Sequence, residues 1–185
     1  MLLWYNVSIY FMVVYYSKNA LDAGNQQERS KIKGWITGFV DGKGAFIVSI
    51  LRNSTSRTGW QAFPEFIVTQ GAKSKEVLYT IQKFFNCGNV YVNRRFDNHN
   101  EDIYRYCVRS LSDLKVSIIP FFKENNLLTN KQKDFEFFCL IMDLINDREH
   151  LTLEGLSKIA EIAMKMNRKV PSQFLESSLT IRQTL

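Results

Sequence analysis

The sequence predicts an α+β fold in which helices cover one face of a four-stranded antiparallel sheet. A unit of one helix followed by two strands occurs twice along the chain. Each pair of strands is separated by a short polar turn, as in a β-hairpin. Further helical segments follow the second unit, so helices are expected to gather on one side of the sheet. The other face is then left for solvent or for a ligand.

The composition indicates one globular domain. The chain has 185 residues, of which 45% are hydrophobic and 14% aromatic, so it can bury a real core. Its net charge of +6 is compatible with a nucleic-acid partner. The three cysteines are far apart and form no CxxC pair, which predicts reduced thiols. We therefore expect a protein of a reducing compartment that is not secreted.

The N-terminal segment is predicted to be an appendage. Residues 1–16 are almost all apolar, yet they lack the basic start and the small-residue cleavage site of a signal peptide. The run is also shorter than the roughly 20 residues that span a bilayer. With the polar linker that follows, residues 1–29 are interpreted as an added strand or a poorly ordered extension, and a membrane anchor is the less favoured alternative. The domain is assigned to residues 30–170 and a polar tail to 171–185.

The first unit covers residues 30–70. Ser30 is predicted to cap a helix that runs to about Asp41, because apolar residues then recur at helical spacing. Strands are predicted over 45–53 and 60–70, with the polar sequence STSRTG as the turn between them.

The second helix–strand–strand unit and three further helices are predicted from the same kinds of pattern. Ser74 is predicted to open a helix that Gly88 closes. Two strands are predicted around the turn DNHNE, and Ser112 is predicted to open a third helix. The strands are assigned to 89–96 and 102–110, and two more helices to 130–147 and 152–169.

One sheet face is expected to be polar. Arginine pairs well with guanine, and asparagine or glutamine with adenine, so such a face can contact bases and phosphates. A solvated face without a ligand is the alternative. In the fourth strand the alternation does not decide whether the arginines or the tyrosines face outward. The candidate DNA-contacting residues are Ser49, Asn53, Gln61, Glu65, Asn93, Arg95 and Arg105.

The segment ITGFVDGKG, Ile36 to Gly44, resembles the nine-residue signature of the LAGLIDADG homing endonucleases. Four further segments resemble the family in the same order, so the likeness covers about residues 30–168: PEFIVTQ (64–70), CGNVYV (87–92), IIPFF (118–122) and NKQKDF (130–135). The resemblance implies an αββαββα fold with a saddle-shaped sheet. It also implies intron homing, typical of group I introns, by metal-dependent hydrolysis of double-stranded DNA.

The resemblance implies roles for individual residues. Each family motif carries, at its eighth position, an acidic residue that binds the divalent metal, Mg²⁺, and this position is Lys43 here. The Gly42 carbonyl is implied to face the metal. Gln70 is implied to order water, and Lys131 to polarise the phosphate side, so the catalytic positions are Lys43, Gln70 and Lys131.

A single motif copy implies a homodimer on a long, near-palindromic site. Small residues let the motif helices of two subunits approach closely, which assigns Gly38, Asp41 and Gly42 to the dimer interface.

Lys43 is the departure that matters. A protonated lysine cannot ligate Mg²⁺, and two like unit charges about 4 Å apart repel by roughly 4 kcal/mol at an effective dielectric near 20. We therefore expect a DNA-binding protein whose cleavage is lost or impaired. If a metal is bound after all, Asp41 and Glu65 are the nearest carboxylates in sequence. The alternative function is a non-cleaving RNA maturase or DNA-binding module on the same fold.

Overall fold

The computed structural model describes residues 26–94, 102–166 and 174. One antiparallel sheet has the strand order β1-β2-β4-β3. The predicted α+β class with four antiparallel strands is confirmed. The strands are β1 (Gly44–Arg52), β2 (Trp60–Gly71), β3 (Asn89–Asn93) and β4 (Ile103–Val108).

The helices precede, separate and follow the two hairpins. Helix α1 occupies residues 26–43 of the described chain. A 3₁₀ turn (Ala72–Ser74) leads into α2 (Glu76–Phe85). The third helical stretch consists of α3 (Leu111–Asp113), a π-helical turn (Leu114–Ile118) and α4 (Ile119–Glu124). The last elements are α5 (Lys131–Asn146), a 3₁₀ turn (Glu149–Leu151) and α6 (Leu153–Ala163).

Aromatic side chains form the core between sheet and helices. Phe46 of β1 lies opposite Phe66 of β2, and neither is more than 1% exposed. The Phe46 ring contacts those of Phe122, Phe135 and Phe138, with centroid separations of 5.4, 5.0 and 5.4 Å. Full burial of such a side chain is worth about 1.5–3 kcal/mol. Since strand residues alternate between faces, the neighbours of Phe46 and Phe66 point away from the helices.

Three predicted helix starts are wrong. Ser74 lies in the 3₁₀ turn, and α2 begins after Lys75 without a side-chain cap. The chain is already helical at residue 26, so Ser30 lies inside α1 instead of capping it. The preceding glutamine, glutamate and arginine residues favour a helix, so nothing ends it there. The third helical stretch is capped by Ser110, whose hydroxyl accepts the Asp113 N–H at 3.2 Å, and not by Ser112. Its π-helical turn comes just before Pro120, which has no N–H to donate.

The predicted end of α2 is also wrong. Asn86, not Gly88, adopts the left-handed conformation that ends the helix, with φ 51°. Gly88 has φ 71°, and a Cβ there would lie 2.6 Å from the Cys107 carbonyl oxygen. Glycine is therefore required by the start of β3 and its close approach to β4.

Some predicted segments cannot be compared with the structure. The apolar run 1–16, the turn 97–101 and nearly all of the tail 171–185 lie outside the described residues. Within the described part, no helix is both long and apolar enough to cross a bilayer.

Candidate nucleic-acid interface and catalytic position

Position 43 lies where α1 meets the sheet. Gly44 follows as the first residue of β1 and pairs with Val68 of β2. A Cβ on Gly44 would lie 2.9 Å from the Val40 carbonyl oxygen, so this sharp helix-to-strand turn requires glycine. The Lys43 side chain is exposed and forms none of the ion pairs found among the described residues.

Gln70 stands at the same end of the sheet. It is two residues beyond Val68, the partner of Gly44, and pairs with Tyr104 of β4. The residue is half-buried. The fold therefore brings two of the three predicted catalytic positions, Lys43 and Gln70, to one end of β1 and β2.

Lys131 contacts the end of α1. Its Nζ donates to the carbonyl oxygens of Val40 and Asp41 at 3.0 and 2.8 Å. The last carbonyls of a helix lack partners within the helix, so the ammonium stabilises this end. Burial lowers the pKa of Lys131 more than the charges of Asp41 and Asp134 raise it. Its role towards a phosphate stays a prediction.

The Asp41 carboxylate is held by the loop before α5. It accepts the backbone N–H groups of Leu128 and Thr129 at 2.9 and 3.2 Å and the Thr129 hydroxyl at 2.6 Å. Desolvation raises the pKa of Asp41, but these hydrogen bonds and the charge of Lys131 together bring the pKa below its ordinary value of 3.8. Asp41 thus fixes the end of α1 from within its own chain, and its place in a dimer interface stays a prediction.

We expect Asp41→Asn to lower the free energy of unfolding by about 1.5–3 kcal/mol at neutral pH, because an amide cannot accept all three donors. The depressed pKa means that the carboxylate stabilises the fold above pH 3.8 and loses this effect as pH falls through the folded-state pKa. Urea denaturation of wild type and variant should therefore give a difference that shrinks between about pH 6 and about pH 3. Asp143→Asn, an exposed change on α5, is the control, and a pH-independent difference would contradict the prediction.

The face of the sheet that points away from the helices, called the free face below, carries six of the seven predicted DNA-contacting residues. Strand register places Arg105 opposite Thr69 and Tyr91, on the face away from the core, whereas Tyr106 is fully buried. The ambiguity in the fourth strand is thereby resolved in favour of the arginine. Arg95 lies outside the described residues. The predicted residues that the register puts on this face are Ser49, Gln61, Glu65, Asn93 and Arg105, and Asn53 continues the same alternation just beyond β1.

Asn53 and Gln61 form one polar pair. The Asn53 amide nitrogen donates to the Gln61 side-chain oxygen at 2.8 Å, and the Asn53 oxygen accepts the Thr55 N–H and hydroxyl at 3.0 and 2.7 Å. Asn53 therefore stabilises the hairpin turn. The pairing uses the Gln61 oxygen, and no partner of the amide nitrogen of this exposed residue is found in the described part of the chain.

Glu65 is bound to Arg109, which is not among the DNA-contacting residues predicted from the sequence. Only 8% of Glu65 is exposed, and its carboxylate accepts the Nε–H of Arg109 at 2.6 Å. The Arg109 guanidinium carbon lies 5.8 Å from the Phe63 ring centroid and 5.4 Å from that of Tyr91. Arg109 lies four residues after Arg105 and shares its parity, which was the available signal. The pairing of β2 with β4, which brings Glu65 to it, cannot be read from alternation alone.

These residues do not fit a divalent cation at position 43. Among residues 26–94, 102–166 and 174, no three His, Cys, Asp or Glu side chains are close enough to share a metal ion. The Asp41 carboxylate accepts hydrogen bonds from the loop before α5, and the Glu65 carboxylate accepts one from Arg109. Both alternative metal ligands are therefore already engaged. Glu65 is also five residues, roughly 17 Å of strand, from Gln70. The carboxylate that hard cations prefer is absent where Lys43 stands.

Known proteins are similar to this chain in both sequence and fold. A sequence model of the "LAGLIDADG endonuclease" family matches residues 36–142, more than half of the chain. "Probable intron-encoded endonuclease 3" of Neurospora crassa is 33% identical over 139 residues, which cover 74% of this chain and 25% of that protein. The chain spans 25–31% of the length of the first curated relatives it matches.

Solved structures give the same result. The homing endonuclease I-TnaI is 40% identical with a TM-score of 0.73, over 80% of this chain and 97% of that one. I-SmaMI, solved on an uncleaved DNA target in the presence of calcium ions, is 30% identical with a TM-score of 0.71, over 80% of this chain and 48% of that one. With the family model, the identities and the αββαββ order in agreement, the chain belongs to the LAGLIDADG endonuclease family.

Proposed function

We propose that this protein binds a long, near-palindromic site in double-stranded DNA as a homodimer, without cutting it efficiently. The observation that carries the proposal is the free face of the sheet, where Gln61, Asn93 and Arg105 project from three different strands. Amide and guanidinium groups of this kind match base edges in a major groove, which is wide enough for β-strands. The net charge of +6 favours a polyanion.

The second copy is proposed to pack on α1. Gly34, Gly38 and Gly42 repeat every four residues on one exposed helix face, and a Cβ at any of them would meet none of the described residues within 4 Å beyond its own stretch of helix. Beside them Trp35 is 40% exposed and stacks on Phe39 with ring centroids 5.6 Å apart. A helix face that combines open glycines with an exposed indole supports close packing against an identical helix.

The loss of cleavage is proposed to follow from Lys43 and from the engagement of Asp41 and Glu65 by other groups of the chain. Magnesium is the cofactor expected from the family, and with a carboxylate at position 43 the group would supply an activated water and charge neutralisation. In this chain Gly42 offers a carbonyl and Lys43 a cation, so the site repels the ion instead. We further propose an intron-encoded origin, in an organelle or a bacterium, in line with the names of the relatives.

Footprinting on selected DNA tests the binding proposal. The 12 residues of β2 span about 40 Å, so two copies should protect on the order of 20 base pairs. Binding should fall steeply with salt and should not require Mg²⁺. Arg105→Ala should weaken it about 10-fold or more, whereas Lys123→Ala on the helix side should not. Protection of only a few base pairs would contradict the proposal. Equal binding to double-stranded RNA would do so too, because its major groove does not admit a sheet.

A further inference from the structure

Arg109 is held on three sides at the end of β4. Its Nε–H is used by Glu65 at 2.6 Å, and its planar group lies near the rings of Phe63 and Tyr91. The two terminal amino groups, Nη1 and Nη2, have no hydrogen-bond partner in the described part of the chain. Since 43% of the Arg109 side chain is exposed, this edge of the guanidinium reaches solvent on the free face.

The arrangement suits a base better than a phosphate. Bidentate pairing with the O6 and N7 atoms of guanine requires two coplanar N–H groups in a fixed direction. A freely rotating arginine loses side-chain entropy when it takes up that direction. Glu65 fixes the rotation about the guanidinium, and Phe63 and Tyr91 restrict its plane, so most of this loss has occurred before binding.

Glu65 itself is poorly placed to contact DNA. It is 8% exposed, and its carboxylate oxygen already accepts the Arg109 Nε–H. A buried carboxylate without its partner is strongly unfavourable, so the two side chains are expected to remain paired. The hydrogen bond also raises the pKa of Arg109, so the guanidinium is charged at any relevant pH.

We propose that Arg109 determines specificity by pairing through Nη1 and Nη2 with a guanine in the major groove, and that Glu65 is the residue that positions it. The inference rests on the proposed function, since it requires double-stranded DNA on the free face. Glu65 is five residues from Gln70, about 17 Å along β2. At 3.4 Å per base pair, the guanine should lie about five base pairs outward from the pair beside Gln70, once in each half-site.

Selection from a randomised DNA library tests the proposal. The wild-type protein, Arg109→Lys and Glu65→Gln are each used to enrich binding sequences, with Lys123→Ala as a control that removes an exposed positive charge on the helix side. The wild type and the control should both enrich a guanine at the stated position. Arg109→Lys keeps the positive charge but lacks the two coplanar N–H groups of the guanidinium. The preference for that guanine over other bases should therefore fall about 10- to 100-fold. Its binding to unselected DNA should change about twofold or less.

The results for the variants distinguish a positioning role of Glu65 from a purely structural ion pair. Glu65→Gln should reduce the same guanine preference and leave the other positions unchanged, which a purely structural ion pair would not do. Thermal melting of each variant confirms that it is folded. If the wild type selects a site without a guanine there, or if Arg109→Lys keeps the preference or weakens all sequences equally, the inference is wrong and DNA binding stands. If the wild type selects no sequence at all, the proposed function fails, and this inference fails with it.

Discussion

Replacement of Lys43 by glutamate is expected to turn a protein that binds its target into one that cuts it. The substitution removes the cation at the end of α1 and places a carboxylate at position 43. No cluster of three possible metal ligands exists among the described residues of the wild type. Cleavage of both strands in Mg²⁺ should rise by at least about 10²–10³, the usual effect of one transition-state electrostatic group. The measurement is the initial rate of product formation on a selected target.

The same change should make the protein less stable. A carboxylate at the C-terminal end of a helix opposes the helix dipole, where a lysine favours it, each by about 0.3–1 kcal/mol. For a chain of this size the melting temperature should fall by about 2–6 °C. Lys43→Met, which removes the cation without adding a ligand, is the matched control and should bind without cutting. Direct titration with Mg²⁺ should detect a site in Lys43→Glu only, and an equal gain of cleavage in Lys43→Met would contradict this explanation.

Gly38→Leu is expected to separate the dimer into folded monomers. A Cβ at Gly38 would meet none of the described residues within 4 Å beyond its own stretch of α1, so a leucine is expected to be tolerated in the monomer and to obstruct a partner helix. Since glycine costs about 1 kcal/mol in a helix interior relative to alanine, the monomer should be as stable as the wild type or slightly more so. Analytical ultracentrifugation should show the loss of the dimer, and affinity for a two-half-site DNA should fall about 100-fold or more.

The control is Glu161→Leu, which adds the same side chain to an exposed position on α6. It should leave both the association state and the DNA affinity unchanged. A wild-type protein that sediments as a monomer with and without DNA would contradict the dimer. So would a Gly38→Leu variant that remains dimeric.

Much of the fold follows from local patterns. The β1–β2 hairpin was predicted within a residue at each end, because alternation and the turn STSRTG leave few other arrangements. The helix ends were less predictable. Ser30 and Ser112 have the chemistry of caps, but the residues before them also favour a helix, and a cap is decided by which hydroxyl meets a free N–H. Ser110 does so at the third helical stretch.

The site was predictable where it depends on sequence spacing and unpredictable where it depends on contacts between distant segments. The positions of Lys43 and Gln70 follow from motif order. Alternation left the face of Arg105 undecided, and the pairing of β4 with β2 and β3 resolves it. The loop that holds Asp41 lies 87 residues further along the chain, and Arg109 is 44 residues from Glu65. These contacts occupy both alternative carboxylates, Asp41 and Glu65, and hold Arg109 in the position where we propose that it contacts a base. No periodicity within a single element reveals them.

The most direct test of binding without cleavage measures both in the same reaction mixture. Wild-type protein is incubated with its selected target, first in EDTA and then in excess Mg²⁺, and the DNA is run on native and denaturing gels. Without a metal-binding carboxylate at position 43, the protein should give a shifted complex of equal affinity in both conditions and leave the strands intact over many hours in Mg²⁺. Efficient cutting of both strands by the wild type would contradict it, because a metal would then be held without a carboxylate at position 43.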